Sequence, residues 1–312
     1  MSLISYVVPV FNNSGSLELM WSTIAGLFEG EACSDDYEIV FVNDGSSDNS
    51  LDQLKGIAKR DPRVIVISFT RNFGQLPAIL AGYARSTGDA IINISADLQD
   101  PPELTPEMIS QWRTGNEVVV AYRSDREDGV LASIFSRMAY ASVRSGNRSV
   151  PAGGFDFVLM SRKALELFLS MKGRNRFFQG DVLWAGLRCS FIPYVRRRRA
   201  VGRSQYTFAK KLKLFFDFTI DSSYVPIRLM SLCGALLAIS GIGYAGVIVL
   251  AKLAGNVPFT GWAPLMVVIL VTSGMLMLML GVIGEYLWRI LDEIKAKPLY
   301  VVEREFSQGV QE

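Results

Sequence analysis

Two long apolar segments near the C-terminal end of the sequence constrain its fold more than any other feature. They extend from Leu229 to Leu253 and from Pro264 to Leu287. Each reaches or exceeds the roughly 20 residues that an α-helix needs to cross the hydrocarbon core of a bilayer. We therefore predict a pair of transmembrane helices that fixes the preceding part of the chain to a membrane.

The region before about Tyr206 has the pattern of an α/β domain. Short β-rich segments alternate with helical ones, and the predicted strands over 39–42 and 64–67 are continuously apolar. A parallel sheet that is covered by helices on both faces requires strands of this kind. The sequence therefore predicts a doubly wound, mainly parallel sheet whose functional loops lie at the carboxyl ends of the strands.

The predicted elements alternate along the chain. Strands are expected over 3–10, 37–42, 63–69, 90–94, 117–121 and 189–197, and helices over 17–28, 51–58, 76–84, 102–112 and 130–143, with the segment 155–160 followed by a further helical stretch.

The predicted spans divide the 312 residues into four parts. We expect a cytoplasmic domain over 1–205, an interfacial amphipathic helix over 206–224, a two-helix transmembrane hairpin over 225–290 and a cytoplasmic tail over 291–312. The stretch from Lys210 to Ile220 mixes lysines with phenylalanines, which suits a helix in the headgroup plane. Its alternative is a surface helix of the soluble domain.

Charge predicts the orientation of the hairpin. The loop from Ala254 to Ala263 carries no charged residue, whereas Lys and Arg flank the other ends of both spans. Positive residues favour the cytoplasmic side, and the first ten residues lack the features of a cleavable signal peptide. We therefore expect a multi-pass protein of the inner (cytoplasmic) membrane, with the N-terminal domain and both termini in the cytoplasm.

Composition excludes several kinds of chemistry. The chain has no histidine, which removes the commonest general base, the Ser-His-Asp triad and His-based metal ligation. Its three cysteines are far apart and odd in number, so they favour neither a disulfide framework nor a Cys-based metal site. A net charge of only +2 argues against nucleic-acid binding. Any chemistry must use carboxylates, Arg, Lys and backbone groups.

Two loops at strand ends carry a high density of polar groups. Residues 42–48, Val-Asn-Asp-Gly-Ser-Ser-Asp, follow the second strand and open a helix, which alone indicates only a turn and an N-cap. Residues 95–103, Ser-Ala-Asp-Leu-Gln-Asp-Pro-Pro-Glu, follow the fourth strand. Oxygen donors held in such a loop suit Mg²⁺ or Mn²⁺ shared with a diphosphate.

These loops, together with residues 7–12, resemble the family 2 inverting glycosyltransferases. The likeness narrows to the polyprenyl-phosphate sugar synthases, relatives of dolichyl-phosphate mannose synthase and of bacterial undecaprenyl-phosphate glucosyltransferases. Further segments that carry the resemblance, in order over nearly the whole chain, are 71–75, 154–160, 199–206, 225–229 and 284–286. The resemblance implies a GT-A fold.

The resemblance also implies which residues form the site. These are Pro9, Asn12, Asp44, Arg71, Gln75 and Ser95 for the nucleotide sugar; Asp97 and Gln99 for a divalent cation, Mg²⁺ or Mn²⁺; Asp156 and Asp97 for catalysis; and Arg123, Arg199 and Ser204 for the acceptor phosphate. Without the membrane context, the arginines would be interpreted as a solvated basic face.

Two positions depart from the family pattern. Ser95 begins the Ser-Ala-Asp segment where the family usually has Asp-X-Asp, and Asn13 stands where Glu is common. Mg²⁺ often uses only one or two carboxylates and retains phosphate oxygens and waters. We therefore expect weaker metal binding with activity retained.

The implied reaction transfers a sugar, with UDP-glucose as the first choice of donor, to undecaprenyl or another polyprenyl phosphate at the cytoplasmic membrane face. A phosphate monoester, whose second pKa is about 6, is already a nucleophile at neutral pH, so no histidine is required. The expected partners are the donor, the lipid acceptor and the bilayer, with self-association favoured by the glycine-rich first span.

Several alternatives stay open or are disfavoured. The donor could instead carry an N-acetylhexosamine on UDP or mannose on GDP, and Ser95 leaves room for a non-catalytic membrane scaffold derived from such an enzyme. A processive synthase is disfavoured because the chain lacks further spans and a Gln-X-X-Arg-Trp motif. A membrane ATPase is disfavoured because no Gly-X4-Gly-Lys-Ser/Thr loop is present.

Overall fold

A nine-stranded mixed sheet forms the centre of the first unit of the chain. The computed structural model describes residues 1–29, 35–123, 155–171, 173, 176, 178–195, 225–254, 263–307 and 310–311. It has two units, Met1–Phe208 with Pro298–Glu312, and Ala209–Lys297. The predicted helices over 130–143 and 206–224, and the site residues Arg199 and Ser204, lie outside the described residues.

The strands are β1 (Leu3–Val10), β2 (Asp36–Asn43), β3 (Val64–Phe69), β4 (Ala90–Asn93), β5 (Val118–Arg123), β6 (Phe157–Ser161), β7 (Cys189–Tyr194), β8 (Val302–Ser307) and β9 (Val310–Gln311). Their order in the sheet is β7-β5-β6-β4-β1-β2-β3-β8-β9. Strands β3, β2, β1 and β4 are parallel, β6 is antiparallel to both β4 and β5, and β7 is parallel to β5. The predicted mainly parallel sheet is confirmed.

The described helices of this unit are α1 (Leu17–Glu29), α2 (Ser50–Arg60), α3 (Gln75–Arg85), α4 (Thr105–Arg113, preceded by a 3-10 turn at Pro102–Leu104), α5 (Arg162–Ser170) and α6 (Phe178–Trp184). They cover both faces of the sheet. One buried cluster joins α1, α2 and α4 to the sheet, and a second joins α3, α5 and α6. This arrangement confirms the doubly wound prediction.

The apolar strands are explained by this double cover. Along β2, Ile39 and Phe41 belong to the first cluster, whereas Val40 and Val42 belong to the second, and all four are fully buried. Successive side chains of a strand point to opposite faces, so both sets must be apolar. Each such burial contributes about 1.5 to 3 kcal/mol relative to exposure in water.

One buried carboxylate stabilises the fold far from the carboxyl ends of the strands. Asp61, which is 3% exposed, accepts hydrogen bonds from Trp21 Nε1 and Tyr37 Oη, both at 3.0 Å, and pairs with Arg63. Burial opposes ionisation, but the bonds from Arg63, Trp21 and Tyr37 outweigh it and lower the pKa of Asp61 to about 2. Asp61 therefore stays charged and stabilises the fold at neutral pH.

The C-terminal residues add a strand to the sheet. β8 pairs antiparallel with β3, the Tyr300 ring stacks on Phe69 with centroids 5.1 Å apart, and Arg85 forms an ion pair of 2.7 Å with Glu305. This strand was not predicted from the sequence. It covers the edge of β3, whose backbone groups would otherwise be unpaired.

The second unit contains two long helices, α7 (Val225–Leu253) and α8 (Ala263–Ile294). Within them, Met230–Ala251 and Val271–Ile294 are long and apolar enough to cross a membrane, and their side chains are not buried inside the protein. Both overlap the segments that the sequence identified as spans, and the second is displaced by seven residues towards the C-terminus.

Candidate active site

The carboxyl ends of the parallel strands bring the two predicted catalytic carboxylates to one edge of the sheet. Asp97 follows β4, and Asp156 immediately precedes β6, which runs in the opposite direction beside β4. Asn93, the last residue of β4, is the register partner of Val158 and donates from Nδ2 to the Asp156 carbonyl at 2.6 Å. The loop that carries Asp97 therefore begins beside Asp156.

Asn12 joins the loop after β1 to the loop after β2 through hydrogen bonds. Its side-chain oxygen accepts from Ser47 N at 2.9 Å, and its backbone N–H donates to Ser46 Oγ at 3.0 Å. Asn12 has a positive φ of 53°, which Asn tolerates better than most residues. Pro9 lies at the same end of β1, opposite Val42. These contacts bring Pro9 and Asn12, two of the residues predicted for the nucleotide sugar, to the edge of the sheet where β2 also ends.

Asp44 fixes the loop after β3. Its two carboxylate oxygens accept the backbone N–H groups of Phe73, at 2.6 Å, and Gly74, at 2.9 Å. Burial raises the pKa of Asp44, and the two backbone hydrogen bonds oppose that rise. The side chain is 3% exposed. Asp44 therefore positions the loop that carries Arg71 and Gln75.

Gly45 permits the close approach of the same two loops. Its φ is +63°, and a Cβ atom at this position would lie 2.4 Å from the carbonyl carbon of Arg71. A side chain here would force backbone to move. Arg71 itself is exposed, with its guanidinium 4.4 Å above the centre of the Phe73 ring, and Gln75 is exposed at the start of α3.

The loop after β4 has the oxygen donors that were predicted to hold a divalent cation. Leu98 has a φ of 56°, and Gln99 N donates to Asp97 Oδ1 at 3.2 Å. Ser16 Oγ donates to the Ala96 carbonyl at 2.6 Å and so joins this loop to the one after β1. Asp97 is 4% exposed.

The donor set at this loop fits a cation that is shared with a ligand. Within the part of the chain that the structure describes, no cluster of three or more Cys, Asp or Glu side chains could hold a metal ion. A carboxylate can accept about four hydrogen bonds or cation contacts, so the bond from Gln99 is compatible with ligation by Asp97. One carboxylate and an amide oxygen suit Mg²⁺ or Mn²⁺ only when phosphate oxygens and waters complete the coordination.

Arg123 and Asp156, predicted for different roles, form an ion pair. Arg123 Nη2 lies 3.6 Å from Asp156 Oδ2, and the arginine side chain is 17% exposed. Gln179 Nε2 donates to the Phe155 carbonyl at 3.1 Å and approaches Asp156 Oδ1 at 3.4 Å. Asp156 is therefore held beside Arg123, the residue predicted to bind the acceptor phosphate.

The Arg123–Asp156 pair is extended by hydrogen bonds to Tyr194 and Asp100, two residues that were not predicted for the site. Arg123 Nε lies 3.4 Å from Tyr194 Oη, and Tyr194 Oη donates to Asp100. Burial and the Asp100 carboxylate raise the pKa of Tyr194 well above its ordinary value, so the hydroxyl keeps its proton. Burial disfavours the charge of Arg123, but Tyr194, Asp100 and Asp156 outweigh burial, and the pKa of Arg123 is raised.

Sequence signals for the missed residues differ in strength. Asp100 belongs to the segment 95–103 that was singled out, and Asn93 is a polar residue at the end of an apolar strand. Tyr194 and Gln179 carry no local signal, since their contacts come from strand pairing and from helix packing.

A mixed sheet with this strand order, an oxygen-rich loop after β4 and an acidic residue at the start of the antiparallel strand define a GT-A glycosyltransferase. The family model described as "Glycosyl transferase family 2" matches residues 5–168. The chain belongs to this family and is a glycosyltransferase.

Relatives extend the match to nearly the whole chain. A glycosyltransferase of Bacillus subtilis, YkcC, is 38% identical over 97% of this chain and 94% of its own. A prophage bactoprenol glucosyl transferase homolog of Escherichia coli is 37% identical, covering 96% and 98%. The bactoprenol glucosyl transferase of Shigella phage SfII is 35% identical, covering 96% and 97%.

A solved structure supports the fold. Glucosyl-3-phosphoglycerate synthase from Mycobacterium tuberculosis, in complex with UDP, has a TM-score of 0.50 and 18% identity, with coverage of 70% of this chain and 79% of that one. A further structure of that enzyme, with the same TM-score, contains Mn²⁺, UDP-glucose and phosphoglyceric acid.

Proposed function

We propose that this chain transfers glucose from UDP-glucose to polyprenyl phosphate, with inversion, at the cytoplasmic face of the membrane. The observation that carries the proposal is the placement of the Asp97 loop and the Arg123–Asp156 pair at one edge of the sheet. A donor diphosphate and an acceptor phosphate must meet within one pocket, and this edge offers groups suited to each.

The relatives support the sugar and the acceptor. Proteins named bactoprenol glucosyl transferase match 96% of this chain, including the two apolar helices. Bactoprenol is a polyprenyl alcohol, and its phosphate keeps its head group at the interface while its tail stays in the bilayer. The helices α7 and α8 associate the protein with the membrane in which such an acceptor is found.

On the donor side, the loops after β1, β2 and β3 form the nucleotide site in this proposal. Pro9, Asn12 and Asp44 face the base and ribose, and the loop that Asp44 fixes presents Arg71 and Gln75 to the donor. Asp97 and Gln99, with Ser95 in the same loop, would hold Mg²⁺ or Mn²⁺. A cation bound there would neutralise negative charge on the leaving diphosphate.

On the acceptor side, Arg123 binds the lipid phosphate, and Arg199 with Ser204 completes this site. A charge-assisted hydrogen bond of this type contributes about 1.5 to 3 kcal/mol. Arg123 is largely buried against Asp156 and Tyr194, so little side-chain entropy is left to lose on binding phosphate.

The chemical step needs no protein nucleophile. A phosphate oxygen of the acceptor attacks the anomeric carbon of glucose, the bond from that carbon to the UDP oxygen breaks, and UDP leaves with the bonding electrons. The acceptor phosphate is mostly a dianion at neutral pH, so no general base is required. We assign Asp156 the role of orienting Arg123, because its carboxylate lies 3.6 Å from that guanidinium.

Screening nucleotide sugars with the purified full-length protein tests this function. Radiolabelled UDP-glucose, UDP-N-acetylglucosamine and GDP-mannose are each incubated with undecaprenyl phosphate, with Mn²⁺ or with EDTA, and the lipid fraction is counted. We expect label in the lipid from UDP-glucose only, and loss of transfer in EDTA. Label from a different donor would overturn the sugar assignment, and no label from any donor would support the non-catalytic scaffold.

A further inference from the structure

Tyr194 lies where the acceptor side of the site meets the cation-binding loop. It ends β7 and is the register partner of Arg123 in the parallel pairing of β5 with β7. Its hydroxyl contacts Asp100, one residue beyond Gln99, and also Arg123 Nε at 3.4 Å. Its ring makes an edge contact with Phe157, with centroids 6.4 Å apart. The ring is thereby held by strand pairing and packing.

Donor and acceptor chemistry fixes the direction of these hydrogen bonds. A carboxylate only accepts and a guanidinium only donates. The single hydroxyl proton of Tyr194 must therefore go to Asp100, and the hydroxyl oxygen must accept from Arg123. Each of these two hydrogen bonds polarises the hydroxyl group, and this polarisation strengthens the other hydrogen bond. A phenylalanine at this position could supply neither bond.

We propose that Tyr194 is a positioning residue that sets the orientation of the Arg123 guanidinium for the acceptor phosphate and ties it to the loop of Asp97 and Gln99. This inference rests on the proposed function. Among the described contacts, Arg123 is held from its Nη2 side by Asp156 and from its Nε side by Tyr194. Loss of one contact lets the guanidinium rotate about the other, which misaligns it with the attacking phosphate.

The variant Tyr194→Phe tests this role because it removes the hydroxyl and keeps the ring. We expect kcat/KM for undecaprenyl phosphate to fall about tenfold to a hundredfold, the loss expected for one hydrogen bond to a charged group. The KM for UDP-glucose should rise by a smaller factor than this, because Tyr194 contacts Arg123 directly and reaches the cation-binding loop only through Asp100. A KM for UDP-glucose that rises as much as the acceptor effect would overturn the proposal.

Tyr37→Phe is the matched control. Tyr37 is also buried, and its hydroxyl also donates to a carboxylate, that of Asp61, at 3.0 Å. It lies outside the site, so we expect a lower Tm with unchanged kinetics. If Tyr37→Phe and Tyr194→Phe reduced activity equally at equal loss of Tm, the effect of Tyr194 would be on folding alone and the proposal would fail.

A double-mutant cycle separates action through Arg123 from independent action. In an Arg123→Ala background, Tyr194→Phe should lower kcat/KM less than about twofold, because the group it orients is absent. The same fold-loss in both backgrounds would contradict the inference.

The wild-type protein distinguishes failure of this inference from failure of the proposed function. If wild type uses another sugar donor, the ratios above are measured with that donor. If wild type transfers no sugar, the proposed function fails, and Tyr194 is judged by the Kd for undecaprenyl phosphate instead. A Kd raised about tenfold or more in Tyr194→Phe but not in Tyr37→Phe supports the role, and equal Kd values overturn it.

Discussion

Replacing Asp44 by Asn tests how the donor loop is held. In the wild type, each carboxylate oxygen accepts one backbone N–H, from Phe73 and from Gly74. An Asn amide has one oxygen, so one bond is lost and an NH2 group is placed against a backbone donor. A buried donor without a partner costs about 1 to 3 kcal/mol.

The lost hydrogen bond should loosen the loop after β3. The residues from Arg71 to Gln75 are joined to the loop after β2 through Asp44, and Gly45 packs within van der Waals range of Arg71. If the loop loosens in Asp44→Asn, UDP-glucose must reorder it on binding, so its KM should rise by about tenfold, up to about a hundredfold. Gly45→Ala, which displaces the same loop by steric contact, should raise the KM in the same direction.

The assay is initial-rate kinetics with full-length protein in detergent, varying UDP-glucose at saturating lipid acceptor, together with the Tm of each variant. Asp61→Asn is the control, since Asp61 is an equally buried and hydrogen-bonded carboxylate outside the site. It should lower the Tm and leave the KM for UDP-glucose unchanged. A wild-type KM in both Asp44→Asn and Gly45→Ala would refute the assignment of this loop to the donor.

Three further outcomes are expected. Asp97→Ala and Asp156→Asn should each lower transfer to polyprenyl phosphate by about a hundredfold or more with little change in Tm, as measured by lipid-extracted label; near-wild-type turnover would remove that residue from the mechanism. Because the pKa of Asp61 is lowered to about 2, its ionised form should contribute about 2 kcal/mol to the free energy of unfolding above about pH 5. This contribution should be lost as the pH falls from about 4 towards 2. In thermal unfolding scans, Asp61→Asn should lack this part of the loss of stability in acid. Tyr300→Ala should destabilise the first unit by about 1 to 3 kcal/mol through exposure of Phe69, whereas Tyr300→Phe keeps the ring stack; equal Tm values for both variants would contradict the stacking role.

The sheet could be predicted from local sequence because each core strand carries its own signal. Ile39, Val40, Phe41 and Val42 are all apolar because helices cover both faces of the sheet. The strand β8 was missed because its residues lack such an apolar signal. Its residues, Val-Glu-Arg-Glu-Phe-Ser, lie near the edge of the sheet and are half-buried or exposed, so selection for apolar character is weak.

The site was only partly predictable. The loops over 42–48 and 95–103 could be recognised because each places many polar residues directly after an apolar strand. Parallel topology then brings both loops to the carboxyl-end edge of the sheet. The roles of Arg123 and Asp156 came from resemblance, and no spacing in the sequence indicates that they pair. Tyr194 was missed because it meets Arg123 across 71 residues of chain through strand pairing, a non-local contact that leaves no periodic pattern.

The products of the reaction test the central claim most directly. Purified protein is incubated with UDP-glucose and undecaprenyl phosphate, the released nucleotide is identified by chromatography, and the lipid is analysed by mass spectrometry and NMR. Direct displacement at the anomeric carbon predicts UDP and a lipid monophosphate that carries one β-linked glucose. Release of UMP with a lipid diphosphate sugar, or an α-linked product, would contradict the account.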